Sequence, residues 1–452
     1  MKFQDSSVFI LKKIKRNKTL TLSITIFLFI VLVGLWSNPS LESKVYPDTQ
    51  TYVKLSKSIF DENPLNRPPV YPIFLKISSV FGGDSWTENV FLLQLFNHAS
   101  ILTLCFFLFN YLVGNRFLAA LLCLIIGFNP SQLYWLPSVL PEMLLCFFIT
   151  LCWVLSLFFI YSQGRYFPKT ILTSIGTFSG IAALVKPVWM LGIIPVFISL
   201  LIFNQSKRVN FYKLIICTVG LHFMLICGWK SAQYINGVDA SKGRILTTNV
   251  CMASLRSGLI KHGEGTRLYE SIKNMGYLTQ AKLLNGEDNE KFREIYNALN
   301  EEQRCDPEFE RRIRDTARVE YLIAQMKYWH RFFSNRMFYP NTPKTFLGLP
   351  DEVRYLYVTS YSYFYRPLMP LMLLLTLALY FIYPKYKAFI FTSLSILIYF
   401  SLVVIIFTKS QSSVMRMRVP VEIILFATSL LPFMCYIRKN AFLHLNKTIR
   451  GK

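Results

Sequence analysis

Long runs of apolar residues recur along this chain, and each has to be hidden from water. The first, "LTLSITIFLFIVLVGLW", carries no charge. Crossing the hydrocarbon core of a bilayer takes about 20 mostly apolar residues per helix, because a helix satisfies every backbone N–H and C=O within one segment. Runs of this kind fall at roughly 19–37, 89–112, 116–134, 139–161, 169–185, 188–204, 211–230, 367–383, 386–407 and 419–437, which predicts about ten spans. A composition of 53% hydrophobic and 16% aromatic residues over 452 positions excludes an ordinary soluble globule. The fold class expected is an all-α polytopic membrane protein. Basic residues precede the first run, but no A-x-A-like cleavage site follows it, so it reads as a retained helix.

The formal charge of +24 invites a nucleic-acid reading, and its distribution argues against one. Lys and Arg gather in "LKKIKRNK", "GRYFPK", "NQSKRVNFYK", "YPKYK" and the tail "YIRKNAFLHLNKTIRGK", alternating with segments of the other sidedness. That is the positive-inside pattern with both termini cytoplasmic, and it brings some affinity for anionic lipid. Residues 1–18 then form a cytoplasmic start, 19–231 a first membrane region, 366–437 the C-terminal spans and 438–452 a basic cytoplasmic tail. Two polar segments, 38–88 and 232–365, each follow an odd number of crossings and belong on the outer face of the cytoplasmic (inner) membrane. The longer one carries "EDNEKFREIYNALNEEQRC" and "DPEFERRIRDTARVEYLIAQMKYW", whose apolar residues recur at three- and four-residue intervals, so a mostly helical outer domain is expected. Cys251 and Cys305 lie in it and have the option of pairing in an oxidising compartment, although their spacing has no signature.

Acids are few, and their positions are informative. Outside the two outer segments Asp and Glu occur only as Asp5, Glu142 and Glu422. The alternation of spans gathers Asp48, Glu88, Glu142 and Glu422 at one face, together with the cations Arg67, Lys186, Arg416 and Arg418. An ionisable group at membrane depth is costly and marks a functional site by default; the plain alternative is snorkelling or helix capping. Lys186 sits in a very short connection between apolar runs and needs an anionic partner, either a phosphate or Glu142 or a lipid headgroup.

Six fragments, in order, resemble the C-type glycosyltransferases (GT-C) that use polyprenyl-phosphate sugars, and among them the protein O-mannosyltransferase and lipid A aminoarabinose transferase group. They are "PDTQTYVKLSKSIF", "NRPPVYPIFLKI", "SVLPEMLLCFF", "GIAALVKPVWMLGIIPVFISL", "CGWKSAQYINGVDASKGRILTTNVCMASLRSG" and "RMRVPVEIILFA". The resemblance implies a GT-C-like bundle of about 10–13 transmembrane helices. It implies Asp48 as general base on the acceptor, with Arg67, Lys186, Arg416 and Arg418 holding the lipid phosphate. Tyr52, Tyr71, Glu88, Glu142, Asn249 and Glu422 are the expected acceptor or sugar contacts. Two departures stand out. Asn66 replaces the glutamate that precedes the basic residue and proline in the aminoarabinose branch, and Thr49 follows Asp48 where protein mannosyltransferases often carry a second acid.

The reaction so implied moves a sugar from a polyprenyl-phosphate donor to a glycan, lipid or protein acceptor, with inversion. No nucleotide diphosphate leaves, so no metal or other cofactor is obligatory, and use of a divalent ion stays open. The chain has no D-x-D triplet, and its histidines are scattered without ligand spacing. Rival readings are a transporter or flippase for a lipid-linked sugar, a non-catalytic assembly factor, and an oligosaccharide ligase or polymerase. Single cysteines introduced near positions 48 and 300 are expected to react with an impermeant maleimide from outside intact cells only; labelling of either from the cytoplasm would invert the topology.

Overall fold

The computed structural model describes residues 3–58, 67–204, 210–237, 245–277, 294–304 except 296, 306–326, 332, 350–363, 368–407 and 417–436 except 432. Arg416, Asn66 and Cys305 lie outside the described residues. The described chain is helical. Its helices, in order, are α1 (Phe3–Ser37), α2 (Pro47–Lys57), α3 (Val70–Gly82), α4 (Trp86–Val113), α5 (Arg116–Gly127), α6 (Pro130–Trp135), α7 (Glu142–Ser162), α8 (Pro168–Val185), α9 (Ile193–Phe203) and α10 (Phe211–Ile235). After them come α11 (Ile245–Arg256), α12 (Arg267–Asn274), α13 (Pro307–Thr316), α14 (Arg318–Met326), α15 (Asp351–Tyr363), α16 (Met369–Ile382), α17 (Lys387–Phe407) and α18 (Val419–Tyr436).

Among the described residues, seven stretches are long and apolar enough to cross a membrane: Lys18–Ser37 of α1, α4, α7, α8, α10, Pro384–Val404 and α18. The protein is therefore a multi-pass helical membrane protein. The other three expected spans coincide with shorter apolar helices, Arg116–Gly127, Pro187–Phe203 and Met369–Ile382. The run 116–134 is not one helix. Asn129 Oδ1 accepts from the Ser131 N–H at 2.9 Å and Pro130 takes the first helical position, so α5 stops at Gly127 and α6 starts anew. Nor is 38–88 merely polar. After Pro68 and Pro69, α3 buries Tyr71, Leu75 and Ser78 on one face while Ile73, Ile77, Val80 and Phe81 point outwards, Phe81 80% exposed. At 13 residues it is too short to register as a span.

The bundle is organised around α7, whose two faces are both covered, by α4, α8, α17 and α18. Trp153 on α7 is fully buried and its indole N–H donates to Ser393 Oγ on α17 at 2.9 Å. Since lipid tails are as apolar as the core, close packing rather than hydrophobic exclusion holds such helices together. A close approach of backbone to backbone joins α8 and α10. Residues Ile216–Gly220 of α10 form a π-helical turn. A Cβ added at Gly176 of α8 would lie 2.4 Å from the Cys217 carbonyl oxygen and 2.6 Å from that of Thr218. One turn on, a Cβ at Gly180 would lie 2.7 Å from Leu225. This Gly-x-x-x-Gly stripe is what lets the two backbones touch.

Helices of the 232–365 segment build a second, smaller core from Cys251, Met252, Leu255, Leu268, Ile272, Phe309, Ile313 and Tyr321. One carboxylate starts two of its helices. Asp306 Oδ1 accepts from the Glu308 and Phe309 N–H groups of α13 at 3.0 and 3.1 Å, and Oδ2 accepts from the Leu268 N–H of α12 at 2.9 Å. Cys251, buried in this core, has its Sγ 3.4 Å from the Asp306 carbonyl. The helices α11 and α14 pack on α17, and Tyr361 of α15 donates to the Ile125 carbonyl at 3.0 Å, so this segment is docked on the bundle.

Gly176→Ala is expected to lower stability by about 1–3 kcal/mol, because backbone oxygens cannot move aside. Gly228→Ala, where a Cβ meets nothing within 4 Å, should be neutral or stabilising. Unfolding midpoints in mixed micelles compare the two directly, and equal midpoints would show that the α8–α10 contact is not tight.

Candidate functional site

The stretch that leads into α2 is tied to the loop between α6 and α7 by its backbone. Lys44 N–H donates to the Pro137 carbonyl at 2.7 Å, Val139 N–H donates to the Lys44 carbonyl at 3.0 Å, and together they make an isolated parallel bridge to Ser138. Gln94 of α4 donates to the Ser138 carbonyl at 3.0 Å. Thr49 adds a further tie: its Oγ1 accepts from the Tyr46 N–H at 3.0 Å and donates to the Val139 carbonyl at 2.9 Å. The residue that stands where a second acid was a possibility is thus a structural pin. Lys44 Nζ lies 4.1 Å from the centre of the Tyr134 ring, and burial lowers its ammonium group to about 8.

These ties fix where Asp48 stands. Pro47 presets the first turn of α2 and Asp48 follows it, favoured there by the positive end of the helix dipole. Its side chain is 43% exposed, and Oδ1 lies 3.4 Å from Arg67 Nη2. Arg67 reaches it from the segment just before α3, with its guanidinium 4.3 Å from the centre of the Tyr52 ring. Tyr52 in turn meets the buried Tyr71 edge to face at 5.0 Å, and Tyr71 stacks on Phe74 at 5.8 Å. Arg67, Tyr52 and Tyr71 are therefore one cation–aromatic stack behind an open carboxylate.

Two more acid–base pairs are built close by. Lys186, the C-cap of α8, donates to Glu142 Oε1 at 2.7 Å and lies 2.9 Å from Met417 Sδ. Of the partners that the sequence left open for Lys186, Glu142 is the one found. Arg418 and Glu422, four residues apart at the start of α18, are both fully buried, with Arg418 Nε 3.0 Å from Glu422 Oε1. Glu422 also accepts from Asn129 Nδ2 at 3.1 Å, Ser131 Oγ at 3.0 Å and Gln132 Nε2 at 3.2 Å. Arg418 Nη1 donates to the Phe332 carbonyl at 3.1 Å. Four donors on one buried carboxylate offset its desolvation and join α6, α18 and the 232–365 segment.

The backbone bridge, the Lys186–Glu142 pair and the Glu422 network place Asp48, Arg67, Tyr52, Tyr71, Glu142, Lys186, Arg418 and Glu422 at one end of the bundle. Glu88 is half-buried in the first turn of α4 and Asn249 half-buried on α11, and no hydrogen bond or ion pair joins either to that group among the described residues. Sequence reasoning missed Lys44, Thr49, Asn129, Ser131 and Gln132. Only the "NPSQ" stretch held a readable signal, an Asn–Pro helix start. Among the described residues no three His, Cys, Asp or Glu side chains come together in a way that would hold a metal ion.

Fold and site define the class of a multi-pass helical membrane protein with charged pairs gathered at one end. No protein-family model matches this chain, and no curated protein matches it at a significant level.

Arg418→Leu and Glu422→Gln are each expected to cost about 3–5 kcal/mol, because each leaves a buried partner uncompensated. The double variant should lose clearly less than the sum of the two. Additive losses in an unfolding titration would mean that the two side chains do not act as a pair.

Proposed function

We propose that the protein is an integral-membrane glycosyltransferase that moves a sugar from a polyprenyl-phosphate donor to an acceptor hydroxyl at the outer face of the cytoplasmic membrane. One observation carries this reading. Asp48 is a half-exposed carboxylate fixed through its backbone and backed by Arg67 on an aromatic seat, at the end of the bundle where the other charged pairs meet. A carboxylate needed only to cap a helix has no use for such support. The ordered resemblance to the C-type glycosyltransferases, which implies a base at this same aspartate, supports the reading.

In the proposed step, the donor keeps its tail in the bilayer and presents its sugar at the membrane surface. The acceptor oxygen attacks the anomeric carbon, and its proton passes to an Asp48 carboxylate oxygen. The new carbon–oxygen bond forms on the face opposite the breaking bond to the phosphate oxygen, so the configuration inverts. The lipid phosphate leaves with the bonding electrons and gains negative charge in the transition state. A cation prepositioned for that charge lowers the barrier without reorganising. Arg67, with 11% of its side chain exposed beside Asp48, suits that task. Lys186, tied to Glu142 but 14% exposed, is a second contributor on substrate binding. Arg418 is engaged by Glu422 and the Phe332 carbonyl, so its part is to hold the frame and not the phosphate.

Asp48→Asn, expressed at the level of the wild type, is expected to cut transfer by about 100-fold or more. Mass spectrometry of envelope lipids, glycans and proteins reads the result. Loss of one sugar with its bare acceptor accumulating supports the reading and identifies both substrates. Unchanged decoration by an active protein would remove Asp48 as the base.

A further inference from the structure

A cleft of about 290 Å³ runs along the face of α2 that is turned away from Asp48, lined by Val45, Thr49, Gln50, Val53, Lys54, Lys57 and Trp86. Helical spacing separates the two faces: Asp48, Tyr52 and Leu55 share one, while Gln50, Val53, Lys54 and Lys57 share the other. None of the lining residues is acidic. Val45, Val53 and Trp86 make an apolar wall, and Lys54 and Lys57, both exposed, stand nearly one turn apart along it.

We propose that this cleft is a seat for an anionic phospholipid of the surrounding bilayer, with the phosphate between Lys54 and Lys57 and the glycerol and upper acyl chain along Val45, Val53 and Trp86. Three observations carry the assignment. Charge and polarity divide within one groove, as an amphiphile requires; a free phosphate gains nothing from the apolar wall, and a neutral sugar gains nothing from two ammonium groups. Trp86 is the first residue of a 28-residue apolar helix, which puts the cleft at headgroup depth, where an indole is at home. Beside it, α3 packs on α2 and turns Ile73, Ile77, Val80 and Phe81 outwards, between 40% and 80% exposed, a surface that acyl chains cover.

The seat is independent of the glycosyltransferase reading and is tested without activity. The protein is placed in nanodiscs of phosphatidylcholine, with phosphatidylglycerol or polyprenyl phosphate added, and quenching by lipids brominated near the headgroup is recorded. Trp86→Phe identifies the Trp86 part of the signal. Brominated phosphatidylglycerol is expected to quench that part more strongly than brominated phosphatidylcholine at equal mole fraction. Lys54→Gln/Lys57→Gln should weaken the apparent affinity for phosphatidylglycerol by on the order of tenfold, as expected for two lysines near a headgroup. Lys54→Arg/Lys57→Arg should retain the preference, which separates lost charge from lost folding. Equal quenching by the two phospholipids, or an unchanged preference in the Gln variant, would overturn the proposal. Displacement by polyprenyl phosphate at lower mole fraction would make the cleft a donor subsite, and displacement by inorganic phosphate alone would make it a free-anion site. Either result also refutes a phospholipid seat.

Discussion

The Glu422 carboxylate is the point on which the charged end of the bundle depends. A bare carboxylate at that depth is costly, and the protein answers with donors from two separate parts of the chain: Asn129, Ser131 and Gln132 at the start of α6, and Arg418 one turn earlier at the start of α18. Three of the four donors have a second duty. Asn129 starts α6 with its other amide atom, Gln132 also holds the Val419 carbonyl, and Arg418 reaches the Phe332 carbonyl. Buried polar groups of this kind specify one arrangement, because every alternative packing leaves several of them unsatisfied. From α6 the constraint passes along the chain to Pro137 and Val139, which hold the backbone of Lys44 and the hydroxyl of Thr49. The open carboxylate of Asp48 is thus held in place through a relay of backbone contacts that starts at a carboxylate fully closed to solvent.

The three acid–base pairs at this end differ in a way that separates support from chemistry. Arg418–Glu422 is closed, Lys186–Glu142 has a little exposure on the cation, and Arg67–Asp48 is open on the acid. A gradient of that kind suits a site where rigidity is needed behind and access in front. Three of the four cations expected to meet a phosphate, Arg67, Lys186 and Arg418, thus already have carboxylate partners.

Much of the bundle was legible in the sequence because the need to hide apolar length is strong and local. The spans α7 and α18 were readable as the apolar runs 139–161 and 419–437, and Asp48 was readable from its place among the few acids gathered at one face. What was not legible lay either below a length threshold or across a long separation in the chain. The helix α3 was hidden because 13 residues fall short of a span, and α5 was overrun because its apolar pattern continues past Asn129. Partners such as Asn129 and Glu422, 293 residues apart, leave no local trace. By contrast, the four-residue spacing of Arg418 and Glu422 is an ordinary helical pair, and its pattern was there to be read.

The π-helical turn at Ile216–Gly220 has a consequence for how α10 can change over time. Each residue of an α-helix advances the side chain by about 100°, so one extra residue in a turn sets the two halves of α10 out of phase with each other. The half that faces Gly176 and the half that leads into the 232–365 segment therefore keep separate angular registers, joined by a seam one residue wide. Deleting a single residue at that seam would restore a continuous α-helix and swing the exit of the chain by about a quarter of a turn. The 232–365 segment would then approach the bundle from a new direction, with every span left in place.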